Sequence, residues 1–163
     1  MKQLLQQYSA YNLWANEIIT GEIVHLYPSI LYNEMNSSFG TIYKTVVHLM
    51  DVESIWWQRL NLNENVQWPG VNYNETVETL SKDLLNLSKQ WMKWVQDATE
   101  VNITHIFGYL NSKKEFFKQP VYEVLLHLFN HQTFHRGQLI TMMRQNGIKK
   151  IPATDFIVYS RKK

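Results

Sequence analysis

The chain has 163 residues, 45% of them hydrophobic and 18% charged, which predicts one domain spanning residues 1–163 and excludes a disordered chain. The absence of cysteine excludes disulfides, thiolate nucleophiles and cysteine metal ligands, so only His, Asp and Glu are left to bind a metal ion. The net charge is only +2, and its excess lies in short basic clusters at 113–114, 149–150 and 161–163, which are typical of solvated surface and do not predict nucleic-acid binding.

No segment has the pattern of a targeting or membrane-spanning element. The first 20 residues are interrupted by Gln, Tyr, Asn and Glu, unlike the apolar region of a signal peptide, and no later apolar run approaches transmembrane length. We therefore expect a soluble cytoplasmic protein with no membrane partner.

Two long helices are predicted in the N-terminal part of the chain, where apolar residues recur at helical spacing. The first covers residues 2–20 and the second covers residues 41–60. A short helical segment is expected from Glu22, and it is interrupted by Pro28 and by the Asn- and Ser-rich residues 33–40.

Two more helices are predicted in the C-terminal part. The third covers residues 77–98, with Asn74 as its N-cap. The fourth covers residues 120–147, because a proline suits its first position and Asn146-Gly147 supplies left-handed residues that close a helix.

The remaining segments are short. β-Prone residues flank Asn111-Ser112 and predict a hairpin within residues 101–119, and residues 151–163 are predicted to form an extended or irregular tail. Four helices of this length around one core predict an all-α four-helix bundle.

The fourth helix carries three histidines on one face: His127, His131 and His135. His127 and His135 are separated by about 12 Å along the axis, so one metal ion cannot bind both, and the chelating pairs are His127/His131 or His131/His135. His48 lies midway along the second helix, which must pack against the fourth in a bundle. Three imidazoles from two helices could surround one divalent ion and leave a position open for chemistry.

Spacing alone does not exclude a simpler interpretation of these histidines. His48, His127 and His131 could equally be separate core histidines that hydrogen-bond to nearby Gln, Thr or backbone carbonyl groups.

A resemblance to a known protein family helps to choose between these interpretations of the histidines. The segment His127-x-x-Asn130-His131-x-x-x-His135-Arg136-Gly137-Gln138 resembles the last-helix signature of the DinB-like family, which includes bacillithiol transferases and thiol-dependent isomerases. Further similarities occur in the family's order at Trp14-Ala15-Asn16, Phe39-Gly40, His48-Leu49, Trp56 and Thr154-Asp155-Phe156. The resemblance implies an antiparallel four-helix bundle, often dimeric, that binds a divalent ion such as Zn, Ni or Mn through His48, His131 and His135.

The resemblance also implies a class of reaction. Its assigned members favour a metal-dependent transferase that joins a low-molecular-weight thiol to an electrophilic substrate, and without cysteine the thiol must come from a cofactor or substrate. A metal-dependent hydrolase that uses bound hydroxide and a non-catalytic stress-response bundle stay open as alternatives.

Four polar residues near the histidines also receive predictions. Arg136 is expected to be a structural ion-pair or dimer residue, and Gln138, three residues after His135, to lie beside the metal ligands. We expect Asp51 and Glu53 to be surface residues. The less favoured alternatives are that they orient an imidazole or act as bases. No catalytic residue is predicted.

Overall fold

The computed structural model describes residues 1–161, so Lys162 and Lys163 of the terminal basic cluster lie outside the described residues. Its elements follow the chain as α1 (Lys2–Ile23), α2 (Pro28–Leu31), α3 (Ile42–Leu60), α4 (Val77–Asp97), α5 (Glu100–Thr104), β1 (Ile106–Leu110), β2 (Phe116–Pro120), α6 (Val121–Gln145) and α7 (Phe156–Ser160). The four long helices α1, α3, α4 and α6 form a bundle in which α1 and α3 each pack against both α4 and α6. The predicted all-α four-helix bundle is confirmed.

The predicted helix boundaries are close to those observed, with some corrections. The side chain of Thr76, not of Asn74, caps α4 by accepting a hydrogen bond from the Thr79 backbone N–H. The short helix expected from Glu22 begins instead at Pro28, because a proline suits the first turn of a helix. Of the predicted pair Asn146-Gly147, Gly147 adopts a left-handed conformation with φ of +84°, whereas Asn146 has φ of −86°.

The hairpin is confirmed, but it is shorter than its predicted segment. β1 and β2 pair antiparallel, with Ile106 opposite Pro120 and Leu110 opposite Phe116. The preceding residues form α5, because Thr99 and Asn102 make a reciprocal capping box. The tail is also not wholly irregular, since it contains α7.

The bundle interior has a polar layer between two hydrophobic clusters. One cluster surrounds Leu49, Leu84 and Leu139, and the other surrounds Trp91 and Phe129. Six of the buried polar side chains on the long helices form this layer and are connected by hydrogen bonds: Asn12, Asn16, Glu53, Ser88, Gln132 and Arg136. The histidines at 48, 131 and 135 lie at the same level of their helices. Among residues 1–161, no helix is long and apolar enough to cross a membrane.

Arg136 and Glu53 lie on opposite sides of this layer and are connected by two asparagines. Asn12 and Asn16 each accept a hydrogen bond from the Arg136 guanidinium, at 2.8 Å, and each donates its amide to the Glu53 carboxylate, at 2.9 and 3.3 Å. The predicted structural role of Arg136 therefore holds, but within the described residues it forms no direct ion pair.

Candidate metal centre

Three imidazoles meet where α3 packs against α6. His131 Nε2 lies 3.4 Å from His48 Nε2 and 3.3 Å from His135 Nε2, and the three ring nitrogens lie within 4.8 Å of one another. His48 and His131 are half-buried and His135 is buried. The structure thus brings together the three side chains that the family resemblance implied.

The helix geometry explains this convergence. His131 and His135 are four residues apart and therefore project from one face of α6. His48 meets this pair at one level. Trp56, two turns after His48 on α3, meets His127, one turn before His131 on α6, with ring centroids 5.4 Å apart. The two helices therefore run antiparallel.

His127 lies outside the cluster. Its ring centroid is 5.6 Å from that of His131, but its side chain is exposed and packs edge-on against Trp56. Of the two chelating pairs compatible with the spacing, the tertiary structure joins His131/His135 to His48.

The protonation of the cluster suits metal binding. Burial lowers the pKa of His48 and of His131 to about 4, and it also lowers the pKa of His135, so the three imidazoles are neutral at pH 7. His135 Nδ1 lies 2.7 Å from Gln138 Oε1, an acceptor, so the ring proton resides on Nδ1 and the Nε2 lone pair faces the cluster. The Gln138 amide in turn donates to Ser38 Oγ at 3.3 Å.

Phe39 is a contributor that the sequence did not single out as a site residue. Its ring stacks on His48 with centroids 4.0 Å apart and contacts His135 edge-on at 5.5 Å. Gly40 follows with φ of +77°, so the turn before α3 directs Phe39 onto the histidines. The signal available in the sequence was the Phe39-Gly40 pair ahead of the helix.

The spacing of the donor nitrogens matches the geometry of a bound divalent ion. With metal–nitrogen distances of about 2.0–2.1 Å, two nitrogens at adjacent corners of a tetrahedron are about 3.3 Å apart. The two nearest Nε2 separations, 3.3 and 3.4 Å, match this edge. Three neutral imidazoles are also a donor set that zinc and nickel accept. The residues therefore fit a three-histidine metal site.

The carboxylates closest in sequence to His48 take no part in the cluster, and the prediction that they lie on the surface is wrong. Asp51 is buried and accepts a hydrogen bond from the Gly70 backbone N–H at 2.6 Å. A Cβ on residue 70 would collide with the Asp51 carboxylate, so this close approach requires glycine. Glu53 is fully buried in the polar layer, which raises its pKa to about 7. Neither side chain orients an imidazole.

Comparison with known proteins identifies the family of this chain. The model of the DinB family matches residues 1–162. Protein DinB of Bacillus subtilis (strain 168) is 26% identical over 157 residues, which cover 91% of this chain and 89% of that protein.

Two crystal structures share the fold. A DinB-like protein from Bacillus cereus ATCC 10987 superposes with a TM-score of 0.65 at 19% identity, over 86% of this chain and 90% of that chain. A DinB-like protein from Bacillus subtilis superposes with a TM-score of 0.65 at 14% identity, over 91% of this chain and 98% of that chain. Because the family match extends over nearly the whole sequence, this chain belongs to the DinB family.

Proposed function

We propose that His48, His131 and His135 bind a divalent metal ion, such as zinc, nickel or manganese, and that the protein is a metal-dependent transferase. Its substrates would be a low-molecular-weight thiol and an electrophile. The observation that supports this proposal is the convergence of three neutral imidazole nitrogens, each from a helix of the bundle, with adjacent separations of 3.3 and 3.4 Å.

The ion supplies one chemical function when it is bound: its charge lowers the pKa of a coordinated thiol or water, so that more of the nucleophilic form exists at pH 7. The residues of this chain orient the donors. Gln138 holds the proton of His135 on Nδ1, and Phe39 fixes the plane of the His48 ring.

The surroundings of the cluster favour a thiol over water as the nucleophile. A metal-dependent hydrolase commonly uses a carboxylate as general base, and the carboxylates nearest in sequence, Asp51 and Glu53, are hydrogen-bonded elsewhere. A thiol with a lowered pKa needs no such base. Because the chain contains no cysteine, a separate small molecule would provide the sulfur.

A direct experiment combines metal content with thiol transfer. The purified protein is loaded with zinc, nickel or manganese, and its activity is measured as metal-dependent consumption of a thiol with 1-chloro-2,4-dinitrobenzene. We expect His48→Ala, His131→Ala and His135→Ala each to abolish stoichiometric metal binding and the activity, because two imidazoles do not complete a site built for three.

The exposed His25→Ala is the matched control for activity and should behave as the wild type. His127→Ala is the control for metal content and should retain the ion. Stoichiometric metal binding without any thiol transfer or ester hydrolysis would support the non-catalytic stress-response alternative. Loss of metal in His127→Ala but not in His135→Ala would contradict the ligand assignment.

We also propose that the chain forms a homodimer, as the family resemblance implies, and that residues 1–163 fold as a single domain. Light scattering on the purified chain tests the first, and a single cooperative unfolding transition tests the second.

A further inference from the structure

Arg59 lies at the end of α3, on nearly the same helical face as His48. Eleven residues separate them, which corresponds to about 20° of rotation and about 16 Å along the axis. The guanidinium turns back towards the histidines, because its Cζ lies 4.7 Å from the centroid of the Trp56 ring, one turn earlier. The charge therefore lies about 10–12 Å from the histidine cluster.

The guanidinium lacks an anionic partner in the part of the chain that the structure describes. Its Nε is buried and makes no hydrogen bond, and neither Glu64 nor Glu123 lies within ion-pairing distance. Its contacts are with the faces of two aromatic rings, of Trp56 and of Tyr109, whose centroid is 5.4 Å from Cζ. A half-buried cation without a counter-charge is costly, and an incoming anion would remove that cost.

A cavity of about 200 Å³ lies beside Arg59, between the end of α3 and the hairpin. Tyr109 and Phe116 of the hairpin contribute apolar walls, and Asn63 and Glu64 of the loop after α3 contribute polar ones. This volume suits one arm of a small molecule and is too small for a complete drug-sized ligand.

His127 and Trp56 lie between Arg59 and the histidine cluster. The His127 ring lies 5.6 Å from His131 and 5.4 Å from Trp56, between centroids, and the Arg59 Cζ lies 4.7 Å from the centroid of that same Trp56 ring. The exposed His127 imidazole, backed by the buried Trp56 indole, thus forms the surface between the three histidines and the guanidinium. One small molecule lying on that surface could reach both ends.

We propose that Arg59 and its cavity bind the carboxylate of the substrate whose sulfur is held at the three histidines. The Arg59 charge lies about 10–12 Å from the histidine cluster, and a guanidinium–carboxylate contact and a sulfur contact take up part of that distance. The substrate class is then a thiol whose carboxylate lies about 5 Å from its sulfur. This inference rests on the proposed function and specifies its thiol.

The test compares 4-mercaptobutyrate with 4-mercaptobutanol on the cobalt-loaded protein, using the sulfur-to-cobalt charge-transfer band as a binding signal that does not require turnover. We expect the carboxylate to bind about tenfold more tightly than the alcohol in the wild type, because a charge-assisted pair contributes more than a neutral contact. Arg59→Gln should bind the two thiols equally. Arg144→Gln, at an exposed arginine near the end of α6, is the matched control and should keep the preference. Equal binding of the two thiols by the wild type would overturn the role of Arg59 and leave the proposed function intact.

A second measurement does not depend on the metal. In the metal-free protein, the Nε–H resonance of Arg59, assigned by its loss in Arg59→Gln, should shift saturably with butyrate and stay unchanged with butanol. If cobalt gives no band with either thiol, the proposed function fails. The butyrate shift would still support Arg59 as an anion site, and its absence would overturn that as well.

Discussion

Gln132 donates a hydrogen bond to the Leu49 backbone carbonyl oxygen across 2.8 Å, one residue beyond each of the two ligand positions His131 and His48. The bond is fully buried and connects α6 to α3 at the level of the histidines. It fixes the register of the two helices that must present their imidazoles to one point.

Gln132→Ala should therefore weaken both folding and metal binding. The Leu49 carbonyl oxygen would lose a buried partner, which costs about 1–3 kcal/mol of unfolding free energy, and relaxation of the helix register should reduce metal affinity about tenfold. Urea denaturation and competitive metal titration measure the two effects. Gln145→Ala, at an exposed position near the end of α6, is the control. Unchanged metal affinity in a destabilised Gln132→Ala protein would limit the residue to a role in folding.

Glu53 should make the free energy of unfolding depend on pH, in the range between the pKa of Glu53 in the unfolded chain and its pKa in the folded protein. Burial raises its pKa in the folded protein from 4.5 to about 7, so the unfolded chain releases this proton at lower pH than the folded one. The stabilisation of the folded protein by protonated Glu53 is complete below about pH 4.5. It is lost as the pH rises to about 7, and the total loss is on the order of 3 kcal/mol.

The measurement is the difference in unfolding free energy between wild type and Glu53→Gln in metal-free protein from pH 4.5 to 8. Taking this difference removes the opposite trend of the histidines, whose lowered pKa values make stability rise with pH over the lower part of the range. A difference that stays constant across this range would mean that Glu53 is ionised in the folded protein.

Arg136→Ala should be strongly destabilising. Arg136 is 1% exposed, and its removal would leave the Asn12 and Asn16 carbonyl oxygens without their donor and the Glu53 carboxylate without a nearby positive charge. Loss of one member of such a buried charged network costs about 3–5 kcal/mol. Chemical denaturation of Arg136→Ala and of the exposed Arg144→Ala gives the comparison, and equal stabilities would show that the network contributes nothing net.

Removal of metal should lower the melting temperature without unfolding the protein. An ion bound by α3 and α6 stabilises the folded state by mass action, and a free metal concentration of 100 to 1,000 times the Kd corresponds to about 5–15 °C for a chain of this size. The two hydrophobic clusters should hold the bundle together after chelation. Differential scanning calorimetry with and without EDTA tests this, and an unfolded metal-free chain at 25 °C would make the site structural.

Much of the fold follows from local properties of the sequence. Helical periodicity and end signals located all four long helices to within a few residues, because these features depend on neighbours along the chain. The contact between His135 and Gln138 was accessible in the same way, since residues three apart share a face of one helix. The expectation that α3 packs against α6 added His48, and the family resemblance implied the full set of His48, His131 and His135.

Long-range packing decided what the local pattern left open. Whether His127 or His135 joins His131 depends on the level at which α3 crosses α6, and that level is set by contacts between the helices, including the bond from Gln132 to Leu49. Asp51 and Glu53 look like surface residues in the sequence because a carboxylate is usually solvated. Their partners, Gly70 for Asp51 and Asn12 for Glu53, come from distant segments, so only the assembled bundle supplies the hydrogen bonds that make burial of these charges affordable.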